Sequence, residues 1–179
     1  HAVLKCYLFT RDRAFLERHV ARVARGVAYL EGLRARRMTE EYRDAAGLKG
    51  AMYGLVPESI SHEGYSAKPM HSYWDSFFVL QGFKAAVQIG EIAGASDLKA
   101  RSERLAAEYR ENLYASMRKA MAIKGIDYVP GCVELGDFDA TSTAIGIFPC
   151  GELGLAPEPQ FTNTFEKYWQ FFQERRDGQ

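Results

Sequence analysis

Apolar side chains recur every three or four residues along most of this 179-residue chain. That spacing places them on one face of an α-helix. The clearest runs lie at 13–37, 74–92 and 98–121, and no stretch of any length shows the two-residue alternation of a half-buried strand. The sequence therefore predicts an all-α protein.

Turn and capping residues divide these runs into antiparallel helical hairpins. A tight connection at residues 10–12 joins an apolar run at 2–9 to the helix at 13–37, which makes one hairpin. Gly94 suits the left-handed position after a helix, and Ser96 is expected to cap the helix that follows, which makes a second.

Two further helices are expected near the end of the chain, a short apolar one at 140–148 and a last amphipathic one that contains Phe161, Phe165, Trp169 and Phe172. Charged residues of both signs alternate between Arg11 and Arg43, which predicts a solvated helix face. His1 precedes an apolar helical run without a capping residue. We therefore expect residues 1–179 to form a single partial domain of a longer chain.

The composition excludes several classes of partner. Lysine and arginine together number 23, equal to the 23 aspartates and glutamates, so no overall field attracts nucleic acid. No run reaches the roughly 18 to 20 apolar residues of a membrane span. Cys6, Cys132 and Cys150 are too far apart for a disulfide framework or a zinc site. We expect no metal and no cofactor, and the sequence leaves localisation open.

A long segment with many glycines and prolines, 44–70, leads into the helix at 74–92, and its second half is the densest polar and aromatic region of the chain. Sugar recognition needs flat apolar rings and carboxylates that accept hydroxyls. The candidate residues for such a site are Glu58, His62, Glu63, Tyr65, His71, Tyr73, Trp74 and Asp75. The alternative is a plain helix start, with Ser72 as the cap and Trp74 in the core.

Three short stretches carry a resemblance to six-hairpin glycoside hydrolases, whose fold is an (α/α)6 toroid. Residues 54–58 and 71–78 resemble their loop-to-helix segments, and the Tyr-Trp-Asp-Ser order at 73–76 is similar to a substrate-contacting signature of trehalases. Residues 136–142, followed by Phe148-Pro149, are similar to a later element of bacterial glucoamylase-like proteins.

This resemblance implies a function and a role for two carboxylates. The chain would be the carbohydrate-binding portion of a glycosidase-like protein, with the remainder of the toroid as its partner. Asp75 would accept sugar hydroxyls, and Glu58 would be the catalytic general acid, which requires a raised pKa. The general base of these families lies near a later hairpin, so we expect this chain alone to be inactive.

Two other functions remain open from the residues themselves. The first is a non-catalytic helical binding or scaffold module. The second is a lyase or epimerase on the same fold, in which His62 acts as a base beside Tyr65. Glu134, Asp137 and Asp139 are further loop carboxylates, and Asp139 is expected to cap a helix.

Trp74 and Phe78 stand four residues apart, a spacing that puts their side chains on one helix face. We expect Phe78 to be the inner residue of the pair, in the core.

Overall fold

The computed structural model describes residues 1–60 and 68–175. In these residues the regular secondary structure is helical apart from three isolated bridges, which confirms the predicted all-α class. The helices are α1 (Ala2–Thr10), α2 (Arg13–Ala35), α3 (Glu40–Arg43), α4 (Gly47–Ala51), α5 (Tyr73–Ala93), α6 (Ser96–Lys124), α7 (Ala140–Ile147) and α8 (Gln160–Glu174). None of them is long and apolar enough to cross a membrane.

The hairpin of α5 and α6 forms the centre of the hydrophobic core. Gly94, with φ of +72°, ends α5, and the backbone N–H of Ala95 donates to the carbonyl of Gly90 at 2.8 Å. Phe83 of α5 meets Tyr109 of α6 edge to face, with ring centroids 5.8 Å apart. The predicted Ser96 cap is wrong: Ala95 occupies the N-cap position, and no side chain caps α6.

The hairpin of α1 and α2 packs across α5. Asp12 caps α2 by accepting from the backbone N–H of Phe15 at 2.9 Å. The expected solvated face of α2 is wrong at Arg34, whose side chain is only 3% exposed and donates to Glu108 at 2.8 Å. Arg34 also donates to the carbonyl of Gly54 at 3.2 Å, so it ties α2 both to α6 and to the loop after α4.

The core residue near the start of α5 is Phe77. Trp74 and Phe78 do share a face, with ring centroids 5.5 Å apart. However, Phe78 is 39% exposed whereas Phe77 is fully buried, so the expectation that Phe78 lies in the core is wrong. Adjacent aromatic residues point in directions about 100° apart on a helix, and the buried stripe falls on the earlier one.

Helix α7 packs on α5, and α8 packs on α7. Gly146 of α7 lies so close to Phe77 that a Cβ there would stand 2.8 Å from the ring. Phe161 is buried at the start of α8, but Trp169 is 57% exposed and Phe172 is 50% exposed. The second half of α8 therefore presents aromatic surface to solvent.

Two glycines of α5 test the packing of the central hairpin. A Cβ on Gly90 would lie 2.7 Å from the backbone nitrogen of Lys99, whereas a Cβ on Gly82 would make an ordinary 3.8 Å contact with Leu30. We predict that Gly90→Ala lowers the free energy of unfolding by about 1 to 3 kcal/mol through overpacking. Gly82→Ala, the matched control, should be neutral or stabilise by up to about 1 kcal/mol through helix propensity. Urea unfolding of both variants checks this, and equal effects would contradict the close approach.

Candidate functional site

Three loop segments converge on the N-terminal end of α5. They are residues 52–60, residues 68–72 and residues 125–139. Ser59 and Met70 exchange two backbone hydrogen bonds, each 3.0 Å long, which joins the first segment to the second. These two bonds hold the segment that contains Glu58 beside the segment that leads into α5.

The third segment is tied to the same place by backbone hydrogen bonds. The N–H of Tyr73 donates to the carbonyl of Gly131 at 2.9 Å, and the N–H of Val133 donates to the carbonyl of His71 at 3.1 Å. Ser72 takes the predicted N-cap position of α5, although its side chain makes no capping hydrogen bond. Main-chain pairing thus fixes His71 and the first turn of α5 against the loop after α6.

His71 is the hub of the polar contacts at this point. Its side chain is 5% exposed, and its Nδ1 lies 2.6 Å from Oε1 of Glu134. Its Nε2 lies 3.3 Å from Nε of Arg37 and 3.6 Å from Oε2 of Glu58. Arg37 in turn forms an ion pair with Glu58. The buried imidazole of His71 therefore connects its own segment with three others, which supply Arg37, Glu58 and Glu134.

The two carboxylates beside His71 are both held in their ionised form. The backbone N–H of Glu58 itself lowers the pKa of this carboxyl; partial burial opposes that effect, while the hydrogen bond and charge of Arg37 add to it. Burial works to raise the pKa of Glu134, but hydrogen bonds from the ring and backbone of His71 outweigh it, so the net shift is downward. Both groups accept hydrogen bonds and have no proton to give near neutral pH.

The general-acid role expected for Glu58 stays a prediction, which the surroundings of this carboxyl do not favour. A general acid needs a raised pKa so that it carries a proton to the leaving group. Glu58 has a lowered pKa, an arginine partner and a side chain that is 44% exposed. Apolar surroundings or a neighbouring carboxylate would raise the pKa of Glu58. Its own backbone N–H and the cationic Arg37 lower that pKa instead.

Asp75 lies in the first turn of α5, beside the Glu58 segment. Its Oδ2 accepts a hydrogen bond of 2.5 Å from the hydroxyl of Ser59, the residue after Glu58. Trp74 is half-buried and packs its ring on Phe78. Glu58, Asp75 and Trp74 thus lie near one another at the start of α5.

The remaining predicted site residues have different outcomes. Tyr73 is fully buried, with its hydroxyl 3.0 Å from Oγ of Ser116, and burial raises the pKa of its phenol. Its predicted contact with substrate is therefore replaced by a place in the core. His62, Glu63 and Tyr65 lie outside the described residues.

Sequence reasoning missed the roles of Arg37 and Glu134. The sequence predicts Arg37 on a solvated helix face and identifies Glu134 only as a loop carboxylate. Their shared contact, His71, is 34 residues from Arg37 and 63 residues from Glu134. No local pattern signals a contact over such separations. Asp139, in contrast, caps α7 as predicted by accepting from the backbone N–H of Ser142 at 3.0 Å.

A second group of charges lies buried between the loop after α7 and the central hairpin. The side chain of Glu152 is fully buried and accepts from Lys84 at 2.6 Å, from Tyr114 at 2.6 Å and twice from Arg110, at 2.7 and 2.9 Å. Burial works to raise its pKa, but hydrogen bonds from Arg110, Lys84 and Tyr114 outweigh burial and lower the pKa to about 2. This carboxylate anchors the loop and is inaccessible to a ligand.

Two grooves flank α8. One, about 520 Å³ in volume, lies between α8, the N-terminal end of α7 and the preceding loop, and its aromatic lining comprises Tyr128, Phe138, Tyr168 and Phe171. The other, about 630 Å³, lies on the opposite side of α8 and includes Ile147, Leu153, Phe165 and Trp169. Within the described residues, no group of three or more His, Cys, Asp and Glu side chains could hold a metal ion.

Comparison of the chain with protein-family models, with curated proteins and with solved structures gave no match. The candidate function is therefore argued from the geometry of the residues described above.

The buried carboxylate gives a prediction for pH dependence. Because the folded-state pKa of Glu152, about 2, lies below its ordinary value of 4.5, its stabilisation is present above about pH 4.5 and is lost as the pH falls towards 2. We predict that Glu152→Gln is less stable at pH 7 by about 3 to 5 kcal/mol, since it leaves buried cations unpaired. The variant should also lose less stability than the parent between pH 5 and pH 2.

Glu91→Gln is the matched control, because Glu91 is 65% exposed and pairs with Lys99 only at 3.6 Å. Its effect should stay below about 1 kcal/mol. Urea unfolding at several pH values measures both variants. Parallel pH profiles for Glu152→Gln and the parent chain would contradict the assignment.

Proposed function

We propose that the start of α5 binds carbohydrate, and that the chain is the carbohydrate-binding portion of a six-hairpin glycosidase-like protein. The proposed site, called here the α5-entrance site, comprises Arg37, Glu58, His71, Trp74, Asp75 and Glu134. The observation that carries the proposal is the hydrogen bond from the Ser59 hydroxyl to Asp75, 2.5 Å long. It ties the residue next to Glu58 to the first turn of α5, so the segment that carries Glu58 lies beside Asp75, 17 residues later in the sequence.

The chemistry of these groups suits a neutral polyol better than an anion. Glu58 is ionised and 44% exposed, so it can accept hydrogen bonds from sugar hydroxyls. Trp74 and Phe78, in the first two turns of α5, add apolar ring surface where the C–H face of a sugar ring could pack. Arg37 is engaged by Glu58, which counts against recognition of a phosphate or carboxylate at this point.

The surface of α8 favours the toroid as the setting of this site. Tyr168, Trp169, Phe171 and Phe172 are each between 44% and 58% exposed. An exposed aromatic face of this kind marks a surface that another element covers. Hairpins α1–α2 and α5–α6 and the packed pair α7–α8 would be three of six, and the remainder of the toroid would pack against α8.

Binding and hydrolysis separate in this proposal. The α5-entrance site supplies hydrogen-bond acceptors and apolar surface, but Glu58 does not supply a proton. Hydrolysis of a glycosidic bond in the parent protein would therefore need an acid and a base from other residues.

The first test measures binding. The chain has two tryptophans, so Trp169→Phe leaves Trp74 as the only indole reporter. We predict that its fluorescence responds to at least one member of a panel of α- and β-linked glucose and galactose disaccharides. Asp75→Asn in this background should weaken that binding by about 10- to 100-fold, the value of a hydrogen bond to a charged group.

Asp97→Asn is the matched control, because Asp97 also lies in the first turn of its helix, α6, and is exposed. Both substitutions remove one charge from a helix N-terminus, but only Asp75 lies at the proposed site. A panel without any binder, or equal losses for the two variants, would count against carbohydrate binding here.

The second test measures turnover. We predict that the 179-residue chain releases no monosaccharide from the same panel between pH 5 and pH 7, because ionised Glu58 cannot act as the acid. Product analysis by chromatography checks this. Turnover that Glu58→Gln abolishes would restore Glu58 as the acid and overturn the separation of binding from hydrolysis.

A further inference from the structure

Glu134 accepts hydrogen bonds from both the main chain and the ring of His71. Its Oε2 accepts from the backbone N–H of His71 at 3.0 Å, and its Oε1 lies 2.6 Å from Nδ1 of the same residue. Two contacts from one carboxylate fix the position of the His71 backbone and the rotation of its ring. A side chain that only filled space in this loop would need neither contact.

These contacts determine which ring nitrogen of His71 carries the proton. Ionised Glu134 can only accept, so Nδ1 must donate to it. The guanidinium of Arg37 can only donate, and its Nε lies 3.3 Å from Nε2, so Nε2 must be the acceptor. These contacts place a proton of His71 on Nδ1 and leave Nε2 as the acceptor.

Arg37 connects this ring to the exposed carboxylate. It donates through Nε to His71 and through Nη2 to Glu58. When Nδ1 of His71 carries the proton, Nε2 of His71 and Oε2 of Glu58 are both acceptors and lie 3.6 Å apart. They stay close because Arg37 donates a hydrogen bond to each of them. The orientation of Glu58 thus depends on Arg37, and the orientation of Arg37 depends on the tautomer of His71.

We propose that Glu134 is a positioning residue, which sets the orientation of Glu58 through the Nδ1–H tautomer of His71 and through Arg37. An effect of this positioning on ligand binding rests on the proposed carbohydrate function, because Glu58 contacts a ligand only if that function holds. The series of contacts from Glu134 through His71 and Arg37 to Glu58 is called here the relay.

Loss of Glu134 has a defined consequence for the other three members. Without an acceptor at Nδ1, the His71 proton can move to Nε2, where it meets the N–H of Arg37, a donor facing a donor. Oε2 of Glu58, 3.6 Å away, then becomes the acceptor for Nε2–H, so Arg37 and Glu58 must separate or rearrange. The charged groups that face His71 from the described segments are Arg37, Glu58 and Glu134.

The test reads the tautomer directly. In protein labelled with 15N at its four histidines, the resonances of Nδ1 and Nε2 report which nitrogen is protonated. His71→Gln identifies the signals. We expect Nδ1–H in the parent chain at pH 7 and a shift towards Nε2–H in Glu134→Ala. Glu134→Gln should restore Nδ1–H, because the amide oxygen still accepts.

Glu111→Ala is the matched control, because it removes one exposed carboxylate from α6 and should leave His71 unchanged. The 13C carboxyl signal of Glu58 gives a second readout. Its titration midpoint should move in Glu134→Ala and return towards the parent value in Glu134→Gln.

If Glu134→Ala does not fold, Arg37→Lys replaces it, since lysine keeps the charge but lacks the planar guanidinium whose Nε and Nη2 donate to His71 and Glu58 in fixed directions. The relay then predicts that His71 keeps Nδ1–H while the titration midpoint of Glu58 rises. An unchanged Glu58 midpoint in that variant would overturn the relay. So would a His71 tautomer that stays Nδ1–H in folded Glu134→Ala.

Affinity for a disaccharide distinguishes the relay from the proposed function. With a binder from the panel, Glu134→Ala should weaken binding about 10-fold, and Glu134→Gln should recover most of it. If no disaccharide binds, the carbohydrate proposal fails while the tautomer and titration readouts still decide the relay. If a disaccharide binds equally well to Glu134→Ala, the relay is overturned and carbohydrate binding stands.

Discussion

Tyr73 holds the candidate site to the centre of the molecule. Its hydroxyl meets Ser116 of α6 at 3.0 Å, and its backbone N–H donates to Gly131 in the loop that follows α6. Tyr73 therefore ties the start of α5 to α6 through its buried side chain and to that loop through its backbone. Trp74 and Asp75 on one side of Tyr73, and His71 on the other, are placed by the packing of α5 on α6.

Charge is used in two different ways in this structure. Glu152 is sealed from solvent and its hydrogen-bonding capacity is taken up by two cations and a tyrosine, so it contributes only to holding the fold. Glu58 and Glu134 also have cationic or hydrogen-bond-donating partners, but their side chains remain 44% and 23% exposed. Only the second arrangement leaves carboxylate surface that a ligand could reach.

Local patterns predicted the helical hairpins, because helix periodicity and the left-handed glycine at position 94 depend on residues a few positions apart. They failed where the outcome depends on distant partners. The sequence predicts a solvated Arg34, yet its ion pair with Glu108, 74 residues away, compensates the burial of its charge. The choice between Phe77 and Phe78 likewise depends on α7, whose Gly146 leaves room for the ring of Phe77. Glu58 and Asp75 are candidates by residue type, whereas the lowered pKa of Glu58 follows from its own backbone N–H and then from Arg37, both placed by the fold.

The outer half of α8 has a consequence for how this molecule opens. Phe161 and Thr164 are its buried residues, both in the first five positions of the helix, and every residue from Tyr168 to Glu174 is exposed in the described chain. Separation of that half from the body exposes little additional apolar surface and breaks mainly its own backbone hydrogen bonds. We therefore expect amide hydrogens there to exchange through local fraying. Those of the α5–α6 hairpin, at the centre of the core, should exchange only through global unfolding, so local stability should rise from α8 inward.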